Sequence, residues 1–265
     1  MYRHLILALG LLIVETAGCA QLPADVGMAT TPPPQRSAVI TSTDVVWFPP
    51  TETPAAAIAV TPLPTAEKKT GVGELLIADD MTTSTHWNAS PSGDASASIS
   101  GRGLTISAQP GEPPVISLHR SAVLDNMYIE VAARLSLCRN RDAYGLVFRA
   151  PNDVAHYRLV AICDGTAAAE RVSLGGPRAL QPPTASSDVP AGAPGEVRLG
   201  VWAQGDEFRF FLNDRYQFTV TDSNYASGGF GVFVQSGGQT PAVVTFSDLA
   251  VYRLEPASPA ETPGT

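Results

Sequence analysis

Residues 129–137 read IEVAARLSL, in which apolar side chains alternate with Glu130, Arg134 and Ser136. A period of two residues sends successive side chains to opposite faces of a strand, so one face is buried and the other meets water. The stretch therefore predicts an amphipathic β-strand.

The same alternation recurs through most of the chain. Further segments lie at residues 144–148, 157–162, 197–201, 208–212, 216–220, 230–234 and 244–252. Gly, Pro, Asn and Asp separate them, and Asn213-Asp214 is a signal for a β-hairpin turn. No helical period is sustained anywhere. Residues 74–254, about 180 in all, are therefore predicted to form an all-β, two-sheet antiparallel sandwich large enough to bury its own core.

The N-terminus has the layout of a bacterial secretory signal. Arg3 and His4 precede the apolar residues 5–14, and the small pair Ala17-Gly18 follows. These are the charged, hydrophobic and cleavage regions of a signal peptide. The apolar run is too short to cross a bilayer core about 30 Å thick. Residues 1–18 are therefore predicted to be a signal peptide that is removed.

Cys19 follows that small pair directly. The junction resembles the lipobox of bacterial lipoproteins, whose cysteine thiol receives diacylglycerol. The resemblance implies lipidation at Cys19 and an extracytoplasmic protein anchored to the cell membrane. Thr16 departs from the pattern, because leucine is usual there. Simple secretion after cleavage is the alternative.

Residues 19–73 read as a tether. Runs such as 30–34 (TTPPP) and 49–54 (PPTETP) repeat proline and threonine. Proline removes backbone donors and fixes φ, so neither helix nor sheet propagates. This segment, and the tail at residues 255–265, are predicted to be disordered.

The chain has a formal net charge of −8. It contains no cluster of Lys and Arg, which argues against nucleic acid as a partner. With Cys19 assigned to lipid, Cys138 and Cys163 remain. In an oxidising compartment we expect these two to form a disulfide, with two buried thiols as the alternative.

Motifs of the domain match a known family in order. They are 76–81 (LIADDM) with Trp87, 143–149 (AYGLVFR), 157–159 (YRL) with 164–165 (DG), 196–199 (EVRL), 210–213 (FFLN), 229–232 (GFGV) and 246–249 (FSDL). Together they resemble the concanavalin A-like lectin/glucanase jelly roll, in the laminin-G-like and 3-keto-disaccharide hydrolase-like branch found in bacterial surface lipoproteins. The resemblance implies two curved, stacked sheets, with carbohydrate or protein ligands on the concave face.

Members of this family sometimes carry a calcium ion. The resemblance makes Asp79, Asp80 and Asp248 the candidate ligands, since they would join the first and last strands. Calcium takes six to eight oxygen ligands, which three carboxylates and nearby carbonyls supply. Capping and turn roles for these acids are the alternative.

A ligand surface is predicted from outward-facing aromatic and arginine side chains. By strand parity, Trp202, Phe211 and Phe233 point away from the core. Aromatic rings on a sheet face are a platform for stacking on sugars. Three arginines share these outward positions and offer guanidinium donors: Arg149, Arg198 and Arg209. The alternative is that the aromatics lie on the convex side or are covered by loops such as residues 174–195.

No catalytic residues are predicted. The chain lacks the Glu-x-Asp-x-x-Glu run that places two carboxylates on one strand in retaining glycosidases of this fold. His86, His119 and His156 lie in no recognisable hydrolase or metal-ligand motif.

These features predict a non-catalytic cell-surface lipoprotein that presents a carbohydrate-binding β-sandwich. Two alternatives stay open: a glycoside-processing enzyme of the 3-keto-disaccharide hydrolase type, and a protein-interaction or envelope-structural module.

Overall fold

A computed structural model describes residues 68–88, 96–120 and 123–255. The predicted signal peptide, the lipidation site at Cys19 and residues 19–67 of the tether therefore lie outside the described residues. Apart from one 3-10 turn at Ser84–His86, the regular elements are strands. They are β1 (Val72–Asp79), β2 (Ser96–Ser100), β3 (Gly103–Ala108), β4 (Val115–Leu118), β5 (Met127–Leu137), β6 (Ala143–Asn152), β7 (Ala155–Ile162), β8 (Thr166–Ser173), β9 (Gly176–Ala185), β10 (Gly195–Gln204), β11 (Glu207–Leu212), β12 (Arg215–Thr221), β13 (Gly229–Gln235) and β14 (Ala242–Leu254).

The strands form two antiparallel sheets. An eight-stranded sheet has the order β12-β11-β10-β5-β14-β3-β2, with β1 also paired to β14. A six-stranded sheet has the order β4-β13-β6-β7-β8-β9. This is the all-β, two-sheet sandwich predicted from the alternation.

The core lies between the sheets and is built by the alternating side chains. In β5, Ile129, Val131 and Ala133 are fully buried, whereas Glu130 between them is only partly so. They pack in one cluster with Leu146 and Phe148 of the opposite sheet. Burying each large apolar side chain contributes roughly 1.5–3 kcal/mol, so this cluster holds the two layers together.

The hairpin between β11 and β12 turns at Asn213 and Asp214. Both residues have positive φ, 48° and 64°. Positive φ at both central residues defines a type I′ turn, whose twist matches that of the flanking strands, and Asn and Asp tolerate it well. The turn signal read from the sequence is therefore confirmed.

Residues 174–195 differ from expectation, because they are more than a covering loop. They contain β9, which pairs with β8 and forms an edge of the six-stranded sheet. Pro177, Pro182 and Pro183 lie in this strand. Proline lacks an N–H for a neighbouring strand, so it is tolerated at a sheet edge. Proline density concealed the strand from sequence reasoning.

Cys138 and Cys163 form a disulfide, as expected, with their Cα atoms 5.8 Å apart. Cys138 follows β5 of the eight-stranded sheet, and Cys163 follows β7 of the six-stranded sheet. The bond therefore joins the two layers covalently.

The first and last strands lie side by side. Val72 of β1 is opposite Leu254 of β14, and the Glu255 N–H donates to the carbonyl of Gly71 at 2.7 Å. Within the described ranges, no helix has the length and apolar character needed to cross a membrane.

Candidate functional site

Four of the six predicted ligand residues share the outer face of the eight-stranded sheet. Trp202 and Phe211 pack there with Tyr128 and Leu254 in a small cluster separate from the core. The Arg209 guanidinium lies 4.0 Å from the centroid of the Trp202 ring. Arg198 forms an ion pair with Glu130 on the same face, at 3.3 Å. The outward parity of these four side chains is therefore as predicted.

This aromatic cluster is covered, however, by the end of the tether. Residues 68–70, called here the N-terminal strap, lie across it. The Trp202 Nε1–H donates to the carbonyl of Thr70 at 2.8 Å, and Arg209 donates to the carbonyl of Lys68 at 3.0 Å. The Lys69 ammonium lies 5.1 Å from the Phe211 ring centroid. Trp202 and Phe211 are consequently only 2% and 1% exposed. The segment that covers these aromatics is the strap, and not a loop within residues 174–195.

Arg149 does not lie on an outer face, so this part of the prediction is wrong. Its φ of 46° interrupts the alternation of β6, next to a shift in register. Its guanidinium lies 5.0 Å from the ring centroid of Phe208, a core residue of the other sheet. It donates to the backbone carbonyls of Asp125, Gly205 and Tyr225. Arg149 therefore ties the two sheets together.

Phe233 lies on the outer face of the six-stranded sheet, away from Trp202 and Phe211. Its ring covers Gly145 of β6, where an added Cβ would come within 2.9 Å of it. The Arg158 guanidinium covers the Phe233 ring at 4.7 Å. The structure thus does not bring the six predicted residues together, because they are divided between two sheets and the space between them.

The outer face of the six-stranded sheet carries polar residues that were not among the predicted ligand residues. Arg158 of β7 is opposite Glu170 of β8, and their side chains form an ion pair at 2.6 Å. His156, two residues before Arg158, is opposite Val172 on the same face. His156 and Arg158 are two positions apart in β7, so strand alternation places their side chains on the same face. This pattern in the sequence could have identified them as a pair.

A cavity of about 520 Å³ opens on this face. Its polar lining comes from Asp153, His156, Arg158 and Ser173. The apolar lining includes Pro113, Ile116, Val154 and Leu174. Leu174 is 91% exposed at the tip of the β8–β9 hairpin. The volume falls within the roughly 300–1,000 Å³ of small-ligand pockets, which combine apolar walls with a few polar groups.

His156 is buried in the wall of this cavity, with 1% of its surface exposed. Within the described part of the chain, the backbone of Asp153 is the one hydrogen-bonding group that acts on the ring, and neither ring nitrogen makes a hydrogen bond of good geometry. Burial, reinforced by the positive charge of Arg158, lowers the pKa of His156 to about 4. The ring is therefore neutral at pH 7 and presents one donor and one acceptor. Buried polar groups are rarely left unpaired, so this one needs an explanation.

The predicted calcium ligands surround a second depression. Asp79, Asp80 and Asp248 line a hollow of about 640 Å³. Asp80 accepts hydrogen bonds from the hydroxyl and the N–H of Thr82, which lower its pKa. Asp248 accepts from the Ser247 hydroxyl. These contacts are the capping and turn roles given as the alternative.

Within this hollow the Asp79 carboxylate is in direct contact with two histidines. Asp79 Oδ2 lies 3.1 Å from His86 Nδ1 and 3.4 Å from His119 Nε2. Burial lowers the pKa of His119, against the opposing charge of Asp79. Calcium prefers an all-oxygen shell, so a donor set with two imidazoles does not fit it. Sequence reasoning missed this cluster because His119 follows β4, far along the chain from Asp79 and His86.

Three glutamates on the outer faces of the sheets form ion pairs with arginine. Glu130, Glu170 and Glu196 pair with Arg198, Arg158 and Arg134 respectively. Burial acts to raise the pKa of Asp222, but hydrogen bonds from Tyr157 and Asn224 and the charge of Arg171 outweigh it and lower that pKa. A general acid requires a raised pKa, so Asp222 is unsuited to that role.

No protein-family profile matches this chain, and no curated protein is significantly similar to it in sequence. Solved structures do share its architecture. Carbohydrate-binding module CBM66 from Bacillus subtilis superposes with a TM-score of 0.53 and 18% identity, covering 63% of this chain and 95% of that module. The chain has the concanavalin A-like fold.

Two further neighbours are a glucanase domain and a GH43 protein. One is the catalytic domain of an endo-1,3-beta-glucanase (laminarinase) from Thermotoga petrophila RKU-1, with a TM-score of 0.50, 10% identity and coverage of 69% of this chain and 98% of that one. The other is the GH43 protein BlXynB from Bacillus licheniformis, with a TM-score of 0.52 and 12% identity, covering 66% of this chain and 39% of that one. At these identities the likeness establishes the fold.

Proposed function

We propose that this domain is a carbohydrate-binding module and that the cavity beside His156 receives the sugar. The observation that carries the proposal is a buried, neutral imidazole lining that cavity beside an arginine. Neighbours with this fold include a carbohydrate-binding module and a glucanase, which supports a carbohydrate-related role.

The chemistry of the cavity suits a sugar. A pyranose or furanose ring presents hydroxyl groups at its rim and C–H groups on its faces. His156 offers one donor and one acceptor, and Arg158 offers further N–H donors in a fixed geometry. Val154 and Leu174 supply apolar surface for the C–H groups. Glu170 holds the Arg158 guanidinium in place through an ion pair.

Binding is favoured over hydrolysis by the distribution of carboxylates. Among the described residues that line the cavity, Asp153 alone carries a carboxyl group. Glycoside hydrolysis generally requires two, about 5–5.5 Å apart for retention and about 6.5–9.5 Å for inversion. Glu170, the nearest acid on the sheet face, is already paired with Arg158. The alternative of a 3-keto-disaccharide hydrolase-type enzyme would need a carboxylate from elsewhere.

We further propose that the module is displayed outside the cytoplasmic membrane through a lipid on Cys19. The Cys138–Cys163 disulfide supports this, because such bonds persist in oxidising compartments. Metabolic labelling with palmitate tests it: wild type should incorporate label and Cys19→Ser should not. Equal labelling of both would contradict the anchor.

The glycan proposal is tested with a matched pair of arginine variants. Arg158 and Arg198 each pair with a glutamate on an outer face, one on each sheet. The full chain is run on native gels containing fructan, β-1,3-glucan, xylan, galactan or mucin glycan. We expect retention by at least one polymer. Arg158→Ala should weaken that binding at least about tenfold, as for a lost charged hydrogen bond, whereas Arg198→Ala should leave it unchanged.

Each other outcome points to a different function. Retention by no polymer would favour a protein-interaction module. Loss of retention in Arg198→Ala but not in Arg158→Ala would move the site to the opposite face. Release of reducing sugar from any polymer would favour the enzyme. Thermal unfolding of both variants, with melting temperatures close to that of wild type, verifies that they are folded.

A further inference from the structure

We propose that Asp79, His86 and His119 form a binding site for a zinc-like divalent cation, independent of the sugar cavity. Each residue offers one ligand atom, and these three atoms lie within 4.8 Å of one another. Zinc accepts imidazole nitrogen as readily as carboxylate oxygen, whereas calcium and magnesium prefer oxygen ligands alone. The three elements that supply the ligands are the end of β1, the 3-10 turn and the residue after β4.

Two of the three spacings between the ligand atoms match a tetrahedral site. With zinc bonds of about 2.0–2.2 Å to nitrogen and oxygen, two ligands of a tetrahedron lie about 3.4 Å apart. Asp79 Oδ2 lies 3.1 Å from His86 Nδ1 and 3.4 Å from His119 Nε2. A cation could therefore be bound with small side-chain adjustments.

Hydrogen bonds to Asp79 explain this arrangement less well than a bound cation does. The same oxygen, Oδ2, also accepts a hydrogen bond from Trp87 Nε1 at 3.1 Å. Three ring nitrogens therefore converge on one carboxylate oxygen, which has two lone pairs. A cation placed between the two imidazoles and Oδ2 would replace two of these contacts and leave the Trp87 bond intact.

The remaining contacts would hold the ligands in orientation, as outer-shell partners do in metal sites. Asp79 Oδ1 accepts the N–H of Met81 at 2.7 Å, which fixes the carboxylate plane. His119 stacks on Phe230, with ring centroids 5.1 Å apart and an angle of 16° between the rings. The Trp87 ring meets His119 edge-on.

A cation can reach the site and keep an open coordination position. The His86 side chain is 52% exposed, while those of Asp79 and His119 are 4% and 3% exposed. Asp79 and His86 both line the hollow of about 640 Å³ described above. Three protein ligands with a solvent-facing fourth position describe an open zinc site.

A bound cation would link the two sheets a second time, in addition to the disulfide. Asp79 belongs to the eight-stranded sheet, and His119 follows β4 of the six-stranded sheet and donates its N–H to Phe230 of β13. A cation that binds only the folded chain stabilises it. We therefore expect a higher melting temperature with zinc present.

The test uses the full chain without a histidine tag, in a Cys19→Ser background that removes the one cysteine outside the disulfide. Zinc binding is titrated by calorimetry after treatment with a chelator, and the Co²⁺ spectrum reports the coordination geometry. We expect one equivalent of zinc to bind and to raise the melting temperature. His86→Ala should raise the Kd for zinc at least about 100-fold, since even outer-shell changes alter affinity by 10–100-fold.

Matched controls separate this site from the calcium prediction. Asp80→Asn and Asp248→Asn alter neighbouring carboxylates of the same hollow and should leave zinc binding unchanged. His86 is exposed, so His86→Ala should fold even if changes at buried His119 do not. Absence of saturable binding by wild type would overturn the proposal. So would zinc binding by His86→Ala equal to that of wild type, or calcium binding that Asp80→Asn abolishes while zinc has no effect.

Discussion

The outer faces of the two sheets carry similar side chains in different surroundings. On the eight-stranded sheet, an arginine lies over Trp202 and the strap covers both. On the six-stranded sheet, an arginine lies over Phe233, but the neighbouring His156 lines an open cavity. Outward orientation alone therefore does not make a binding surface. What matters is whether the chain itself satisfies the polar groups: the strap accepts a good hydrogen bond from Trp202, whereas His156 has only a poorly aligned contact with the Asp153 backbone.

The largest effect on stability is expected at Arg149, which belongs to neither outer face. Arg149→Ala removes a side chain that is only 1% exposed, together with the donor to the carbonyls of Asp125, Gly205 and Tyr225. We expect the free energy of unfolding to fall by about 4 kcal/mol, as for other losses of a buried charged hydrogen-bond network. Urea unfolding of the full chain measures it.

Arg134→Ala is the control for that substitution. Arg134 pairs with Glu196 on the surface, with side chains 60% and 58% exposed. Its loss should change stability by no more than about 0.5 kcal/mol. If Arg149→Ala costs as little, Arg149 does not join the sheets, and its assignment between the two faces would need revision.

A smaller effect is expected at Trp202, and it tests the covered face directly. Trp202→Ala removes a buried ring and the donor to Thr70, so stability should fall by about 3 kcal/mol. Amide hydrogen exchange of residues 68–72 should accelerate as the strap detaches. Glycan retention should persist, since the sugar cavity lies on the other sheet. Loss of retention in a variant shown to be folded would transfer the site to the covered face.

The smallest expected effect is on the pH dependence of stability, and it tests the state of His156 on the open face. The folded-state pKa of His156 is about 4, below the value of about 6.5 for an unfolded chain. Between these values the unfolded state binds the additional proton, so stability falls as the pH is lowered from about 6.5 towards 4. At pH 5 this amounts to about 2 kcal/mol.

His156→Gln should remove that component of the pH dependence. Arg158 and Asp153 are the charged groups that act on the imidazole, and both stay in the variant. Urea unfolding at pH 7 and pH 5 compares the two proteins. An identical loss of stability in wild type and variant would show that His156 is already protonated or solvated in the folded state.

The architecture was largely predictable from the sequence, because strand alternation is a local signal. Residues 129–137 alternate within β5, and Asn213-Asp214 forms the predicted hairpin turn. The strand hidden in residues 174–195 was missed since proline masks strand character, although edge position permits it.

The sites were less predictable, because they depend on which segments meet in space. Parity placed Trp202 correctly but did not reveal that Thr70 would satisfy its indole N–H. Strand parity predicted the wrong face for Arg149, because the positive φ of this residue reverses the alternation of side chains. His86 and His119 are brought together only by the fold, with the isolated bridge between Trp87 and His119 setting their approach.

The pairing of β1 with β14 has one further consequence. Gly71 and Glu255 are hydrogen-bonded neighbours, so the polypeptide enters and leaves the sandwich at a single point. A domain whose first and last strands end close together can be inserted into a surface loop of a host protein without separating the two ends of that loop. The same geometry permits a circular permutant in which a short linker joins the two ends and new termini open at the exposed β8–β9 hairpin.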